Sequence, residues 1–443
     1  MEIRLFNSES NQLELLKPLK ENEVSMYVCG PTVYGYVHIG NMRPVITFDI
    51  LRRFLEYVGY KVIYTSNITD VDDKIINTAL EEGISEKEVA KKYEQNFFEC
   101  CDKVNAKRPT NTPHVTETMD EIIAFISNLV ELGYAYEKDG DVYFRVSKSD
   151  EYGCISHFKK ENLKVGARIE ENTKKEDPLD FALWKKTDVG IKWDSPWGKG
   201  RPGWHTECVV MINKNYSDGK IDIHGGGFDL KFPHHENEVA QSVACHGHHI
   251  ASIWMHNGFI NVDNVKMSKS LGNFKTANEV LSKHDGNIIR MIMISSHYRA
   301  PVNFSEEVME NAAKELNKIL NPIRQAQIQL QINDVEANTL DEERMNKFLL
   351  TLADDLNTSN SISVIHETVK EINLSLRSKD YAKMALATKT VLEMLEVLGI
   401  RVNNVVLDDE AKDLFRKWEE ARKNKDFQTA DVYRNLLIEK GLL

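Results

Sequence analysis

VSMYVCG (24–30) begins with an apolar–polar alternation and is rich in β-branched and aromatic residues. That pattern predicts a strand ending at Gly30. A glycine-rich stretch, CGPTVYGYVHIGN, follows. Beyond it Pro44, Val45, Phe48, Leu51, Leu55 and Val58 recur at helical spacing, with Pro44 in the first turn and Gly59 as a stop. KVIYTSN (61–67) predicts a second strand. Strand, glycine-rich turn, helix, strand is a βαβ unit, which requires a parallel sheet. Ser85 and Glu88 form a capping-box pair at the start of a helix over 85–103, and Thr118 to Glu121 opens another that stops at Gly133.

Between about 110 and 200 the pattern changes to short strands such as DVYFRVS and frequent turns, with strong charge over 159–176. This stretch reads as an inserted subdomain. The βαβ style returns over 201–260, where KIDIHGGG predicts a strand and a helix opens at Pro233. From 303 to 443 there is one proline, Pro322, and two glycines, Gly399 and Gly441. Long helical periodicity there, as in MALATKTVLEMLEVLG, predicts a bundle or two helical units divided near 401–410. No repeat of fixed period and no low-complexity tract is present.

A chain of 443 residues exceeds one core, so two to four domains are expected. With 42% hydrophobic and 28% charged residues, its composition is that of a soluble globular protein. No run reaches the ~18 apolar residues of a membrane helix. The start, MEIRLFNSES, lacks an apolar signal core, so the expected address is cytoplasmic. The net charge of −12 argues against indiscriminate coating of nucleic acid, though a local basic patch is compatible with it. Six cysteines without a CxxC pair do not make a disulfide scaffold. They leave free thiols, available as metal ligands or as small buried side chains.

Three stretches carry candidate chemistry. In YGYVHIGN, glycines stand where a strand hands over to a helix, a place where backbone N–H groups can receive phosphate, and His38 and Asn41 can face one ligand. Such glycines often serve only the turn. VKMSKS (265–270) holds Lys266 and Lys269 in a serine-containing loop, which suits the charge developing at a phosphorus or, equally, a solvated surface. In FPHHENEVAQ, His234 and Glu238 are four apart and share a helix face. With Cys29 and Cys208 they make a zinc-type donor set, but spacing alone does not assemble it, because Cys29 is remote. His235 and Glu236 fall on other faces and read as supporting groups. Cys100, Cys101, Cys154 and Cys245 read as packing. Trp204 is an aromatic of core or rim, and Asp229 a turn residue, unless the site claims them.

The chain resembles the cysteinyl-tRNA synthetases, a class I aminoacyl-tRNA synthetase family. The likeness rests on MYVCGPTVYGYVHIGN, NITDVDDKI, DPLDFALWK, SPWGKGRPGWHTEC, DIHGGGFDLKFPHHENE, MHNGFINVDNVKMSKSLGN and SSHYRAPVNFS, and runs almost end to end. It implies a Rossmann-type α/β catalytic domain (1–110 and 201–265) with an inserted connective subdomain (111–200). A KMSKS loop and stem-contact region (266–305), an all-α bundle (306–400) and an anticodon-binding region (401–443) would follow. It implies ligation of cysteine to tRNA(Cys) through cysteinyl-adenylate, by a cytoplasmic monomer with no membrane partner. One Zn²⁺ would rest on Cys29, Cys208, His234 and Glu238. ATP, with Mg²⁺, would be held by His38, Gly40 and Asn41, with Lys266 and Lys269 stabilising the transition state. Thr69, Trp204, His224 and Asp229 would surround the amino acid. Met42 stands where relatives have a small residue. Relatives also carry a further short tail with a tryptophan, associated with the anticodon, where this sequence reads KGLL. A related ligase that joins cysteine to an amino sugar shares the catalytic half but not the full helical continuation.

Overall fold

The computed structural model describes residues 1–158, 174–262, the backbone of 265–266, and 275–442. Two units emerge. The first comprises 1–286, 296–305 and 353–356, and the second 287–295, 306–352 and 357–443, so the two interleave along the chain.

In the first unit, β1 (Arg4–Asn7) and β2 (Gln12–Leu15) form an antiparallel hairpin. β3 (Glu23–Val28) leads through the HIGN segment into α1 (Met42–Tyr57), which returns to β4 (Lys61–Ser66), parallel to β3. The strand ends two residues before Gly30. A Cβ at Gly30 would stand 1.6 Å from the Asn67 carbonyl oxygen, so only glycine lets the two loops cross there. The helices α2 (Asp73–Glu82), α3 (Glu86–Lys103) and α4 (Met119–Glu131) follow. Ser85 accepts from the Glu88 N–H and Glu88 reaches back to the Ser85 N–H, the reciprocal cap the sequence predicts.

The strands β5 (Ala135–Lys138), β6 (Asp141–Phe144), β7 (Phe181–Lys186) and β8 (Gly200–Pro202) make a separate antiparallel sheet in that order. The parallel style then resumes with α5 (Trp204–Asn215), β9 (Ile221–Gly227), α6 (His234–His246) and β10 (Ala251–Asn257). The parallel sheet has the order β10-β9-β3-β4. This order places the ends of the first and last parts of the fold side by side: β3 lies between β4 and β9. All four carboxyl ends open on one edge, where open α/β sheets gather ligands. Tyr27, Ile221, Trp254, Val209 and Ile212, all buried, belong to one core that continues into Ile122 and Ile126 of α4 and Leu183 of β7.

The unit closes with β11 (Ile260–Val262), β12 (Val265–Lys266), α7 (Ala277–Lys283) and β13 (Val302–Phe304). Between the last two runs α8 (Gly286–Ile294), most of which belongs to the second unit. That unit is helical throughout its described part: α9 (Glu306–Ile332), α10 (Glu342–Ala353), α11 (Thr358–Ser378), α12 (Tyr381–Val397), α13 (Asp409–Lys423) and α14 (Phe427–Glu439). α12 ends at Val397 and α13 begins at Asp409. Ile328 and Ile332 of α9 pack with Leu414, Phe415 and Leu437 in a small core of their own.

Candidate active site

Cys29 follows the carboxyl end of β3, Cys208 lies on α5, and His234 and Glu238 occupy successive turns of α6. One liganding atom from each lies within 4.8 Å of the other three. The Cys29 and Cys208 sulfurs are 3.7 Å apart, and the Cys208 sulfur is 3.5 Å from His234 Nε2. Glu238 Oε1 lies 3.0 Å from His234 Nε2 and 3.8 Å from the Cys29 sulfur. Zinc–sulfur bonds of about 2.3 Å and a zinc–nitrogen bond of about 2.0 Å in a tetrahedron separate two sulfurs by about 3.8 Å, and sulfur from nitrogen by about 3.5 Å. The donor set and its spacing therefore fit a four-coordinate zinc ion.

The electrostatics suit a cation as well. Sharing the Cys29–Cys208 contact lowers the Cys208 thiol to about 6 against the cost of burial, while burial and its neighbour push Cys29 well up. Burial opposes charge on both His234 and Glu238. The attraction of Glu238 outweighs it for His234, raising it to about 10, and His224 followed by His234 outweigh it for Glu238, holding that carboxyl well below the usual range. The far nitrogen of His234, Nδ1, lies 3.0 Å from His205 Nδ1, which leaves Nε2 turned toward the sulfur and carboxylate. Burial, then the neighbouring His234, lowers His205 to about 3.

His235 departs from the helical-face expectation. Its Nε2 is 3.3 Å from the Cys29 sulfur, and Cys29, His224, His235 and Glu238 form a second compact set. Adjacent helix positions differ by only about 100°, so a loop cysteine facing the first turn of α6 can meet both histidines. Glu236 faces away and binds the 153–156 segment.

Cys29 also lines a cavity of about 430 Å³, together with His38, Gly40, Asn41, Trp204 and Asp229. Trp204 stacks on His234 at 4.3 Å between ring centroids. Thr69 and His224 stand behind this lining: the Thr69 hydroxyl donates to buried Glu207 at 2.9 Å, and His224 Nε2 is 2.7 Å from Glu238 Oε2. His38 caps a short 3₁₀ turn over Ile39–Asn41, and the Asn41 side chain accepts from the His38 N–H at 3.1 Å. Lys269 lies outside the described residues, and of Lys266 only the backbone, in β12, is described. The segment after that loop returns to the HIGN turn: the Ile39 N–H donates to the Lys275 carbonyl at 3.0 Å, and Thr276 bridges to His38.

Sequence reasoning missed Lys74 and Phe259, which line the cavity, and His205 and Glu207, which support it. The three-residue spacing of His205 and Cys208 on one helix was the available signal for the histidine.

Residues 15–314 match the model of the class I (C) tRNA synthetase catalytic domain, and residues 347–403 match the DALR domain. The chain belongs to the cysteinyl-tRNA synthetase family. It is 47% identical over 455 residues to a cysteine–tRNA ligase of Oceanobacillus iheyensis, covering all of this chain and 97% of that one. A cysteine–tRNA ligase of Acholeplasma laidlawii is 46% identical over 442 residues, with both chains fully covered. Among solved structures, methionyl-tRNA synthetase of Mycobacterium tuberculosis with methionyl-adenylate aligns with a TM-score of 0.62 at 13% identity. That alignment covers 85% of this chain and 89% of the other, and it establishes a shared class I fold.

Proposed function

We propose that the chain activates L-cysteine with ATP and transfers it to the 3′ end of tRNA(Cys), with zinc held by Cys29, Cys208, His234 and Glu238. The observation that supports this reading is that Cys29, one of four clustered donors, lines the same cavity as the HIGN turn. Of the two compact sets, the one with two thiols suits zinc better. Zinc there supplies a soft Lewis acid that favours sulfur over a serine hydroxyl.

Such a bond gives more than the ~1–3 kcal/mol that a hydrophobic pocket offers per small group. Asp229 faces the substrate ammonium, Trp204 covers the amino acid, and Thr69 and His224 back the wall around it. His38, Gly40 and Asn41 hold ATP, which enters with Mg²⁺. The substrate carboxylate attacks the α-phosphorus and pyrophosphate leaves, with Lys266 and Lys269 meeting the developing charge. The terminal ribose hydroxyl of tRNA then attacks the activated carbonyl and AMP leaves. Positioning and electrostatics suffice for this chemistry. No helix among the described residues is long and apolar enough to cross a membrane. On this reading the enzyme works in the cytoplasm as a monomer.

The test is charging of bulk tRNA with labelled cysteine, alongside ATP–pyrophosphate exchange with cysteine and with serine. Charging with cysteine and negligible exchange with serine are expected. Exchange without charging would move the acceptor away from tRNA. Comparable exchange with serine would remove the metal from selection.

A further inference from the structure

Arg43, on the first turn of α1 and two residues beyond Asn41, is completely buried. Its guanidinium pairs with no carboxylate among the described residues. It donates instead to three backbone carbonyls: Phe259 at 2.8 Å, Ala300, and His297 at 3.4 Å. Burial alone lowers it to about 10, so it remains charged at neutral pH. A buried cation without a counter-charge is a costly way to fill space, and an apolar side chain would fill it better. What a planar fork adds is direction, since its donors fix two chain segments against one helix.

Those segments bear on the cavity. Gly258, Phe259 and Ile260 line it, together with His38, Gly40 and Asn41. The Gly258 N–H donates to the Tyr298 carbonyl at 2.8 Å, and a Cβ at Gly258 would stand 2.6 Å from both the Arg299 and Ala300 carbonyl oxygens. The 258–260 wall is thus pressed onto 297–300, and Arg43 ties both to the start of α1.

We propose that Arg43 is a positioning residue for ATP: it fixes the 258–260 wall relative to the HIGN turn and so sets ATP affinity without touching ATP. This rests on the assignment of the cavity to ATP made above. Misplacement of a binding wall by about 1 Å can cost on the order of 10²-fold.

The experiment measures KM for ATP and for cysteine separately in the exchange reaction, with zinc content, for wild type, Arg43→Lys, Arg43→Gln and His38→Ala. Both Arg43 variants should keep wild-type zinc content and a cysteine KM within about twofold, while KM for ATP rises about tenfold or more. An ATP KM within twofold of wild type, or equal rises in both KM values, would overturn the inference. If His38→Ala disturbs ATP dependence and the Arg43 variants do not, the cavity assignment stands and the inference fails. If neither responds, the assignment falls and takes the inference with it. Should both Arg43 variants be insoluble, Gly258→Ala decides, because it displaces the same wall while leaving the guanidinium. An ATP-selective rise supports the inference and an unchanged ATP KM overturns it.

Discussion

Glu236 accepts hydrogen bonds from Ser156 twice, from its hydroxyl and from its N–H, each at 2.9 Å. The same carboxylate takes the Gly153 N–H at 2.7 Å and the Ile155 N–H at 3.1 Å. The 153–156 segment, between β6 and β7, thus forms a nest of N–H donors around the Glu236 carboxylate, and Glu236 sits between His234 and Glu238 in the sequence of α6. Next to it, Asn237 accepts from the Tyr152 hydroxyl. The helix that presents the candidate metal ligands is thereby pinned from its opposite side.

Glu236→Ala should lower stability by about 2 kcal/mol, because it leaves one buried and two part-buried N–H groups without their acceptor. Urea unfolding monitored by circular dichroism measures this. A loss below about 1 kcal/mol would mean that water or a rearranged loop replaces the carboxylate.

Cys208→Ser should abolish stoichiometric zinc and raise KM for cysteine by at least about tenfold, since serine keeps the shape but not the thiolate. Cys245→Ser is the matched control. Cys245 is half-buried and among the described residues its polar partner is the Asn128 amide, so the zinc content of this variant should be that of wild type. Elemental analysis of the purified variants decides. Normal zinc in Cys208→Ser would strike that residue from the ligand set and favour the set containing His224 and His235.

Much of this site was legible in the chain. The strand–glycine–helix signal marked the HIGN turn, and the four-residue spacing marked His234 and Glu238 as neighbours on α6. Cys29 was legible as a strand-end residue but not as a partner of Cys208. Only the order β10-β9-β3-β4, which depends on which strands pair and not on local periodicity, brings them together. Glu236 reads in the sequence as a supporting group off the ligand face, but nothing local reveals which distant backbone groups it meets. The backbone partners of Arg43 likewise come from distant segments that leave no local signal.

Lys269→Ala should slow cysteine-dependent ATP–pyrophosphate exchange by about 10²–10³-fold, the usual cost of removing one preorganised charge partner of the transition state. KM for cysteine and zinc content should stay near wild type, because the candidate metal donors are other residues. Steady-state exchange separates these quantities. A wild-type rate would end the role assigned to this lysine.

His249 provides a pH-dependent tie between two carboxylates. Its Nδ1 is 2.8 Å from Glu9, on the loop joining β1 and β2, and its Nε2 is 2.6 Å from Glu151. The Glu9 hydrogen bond, against burial and with help from Glu151, raises it to about 9. A folded pKa above the unfolded value of ~6.5 means the contribution is complete below ~6.5 and is lost as pH rises through about 9. Glu151 is more than half exposed, so screening keeps the effect to about 1 kcal/mol. Wild type should therefore exceed His249→Gln in stability at about pH 6, and the difference should close by about pH 10. Thermal unfolding of both proteins across that range tests it. A gap that stays constant or widens with pH would show that His249 stabilises through packing and not through its charge.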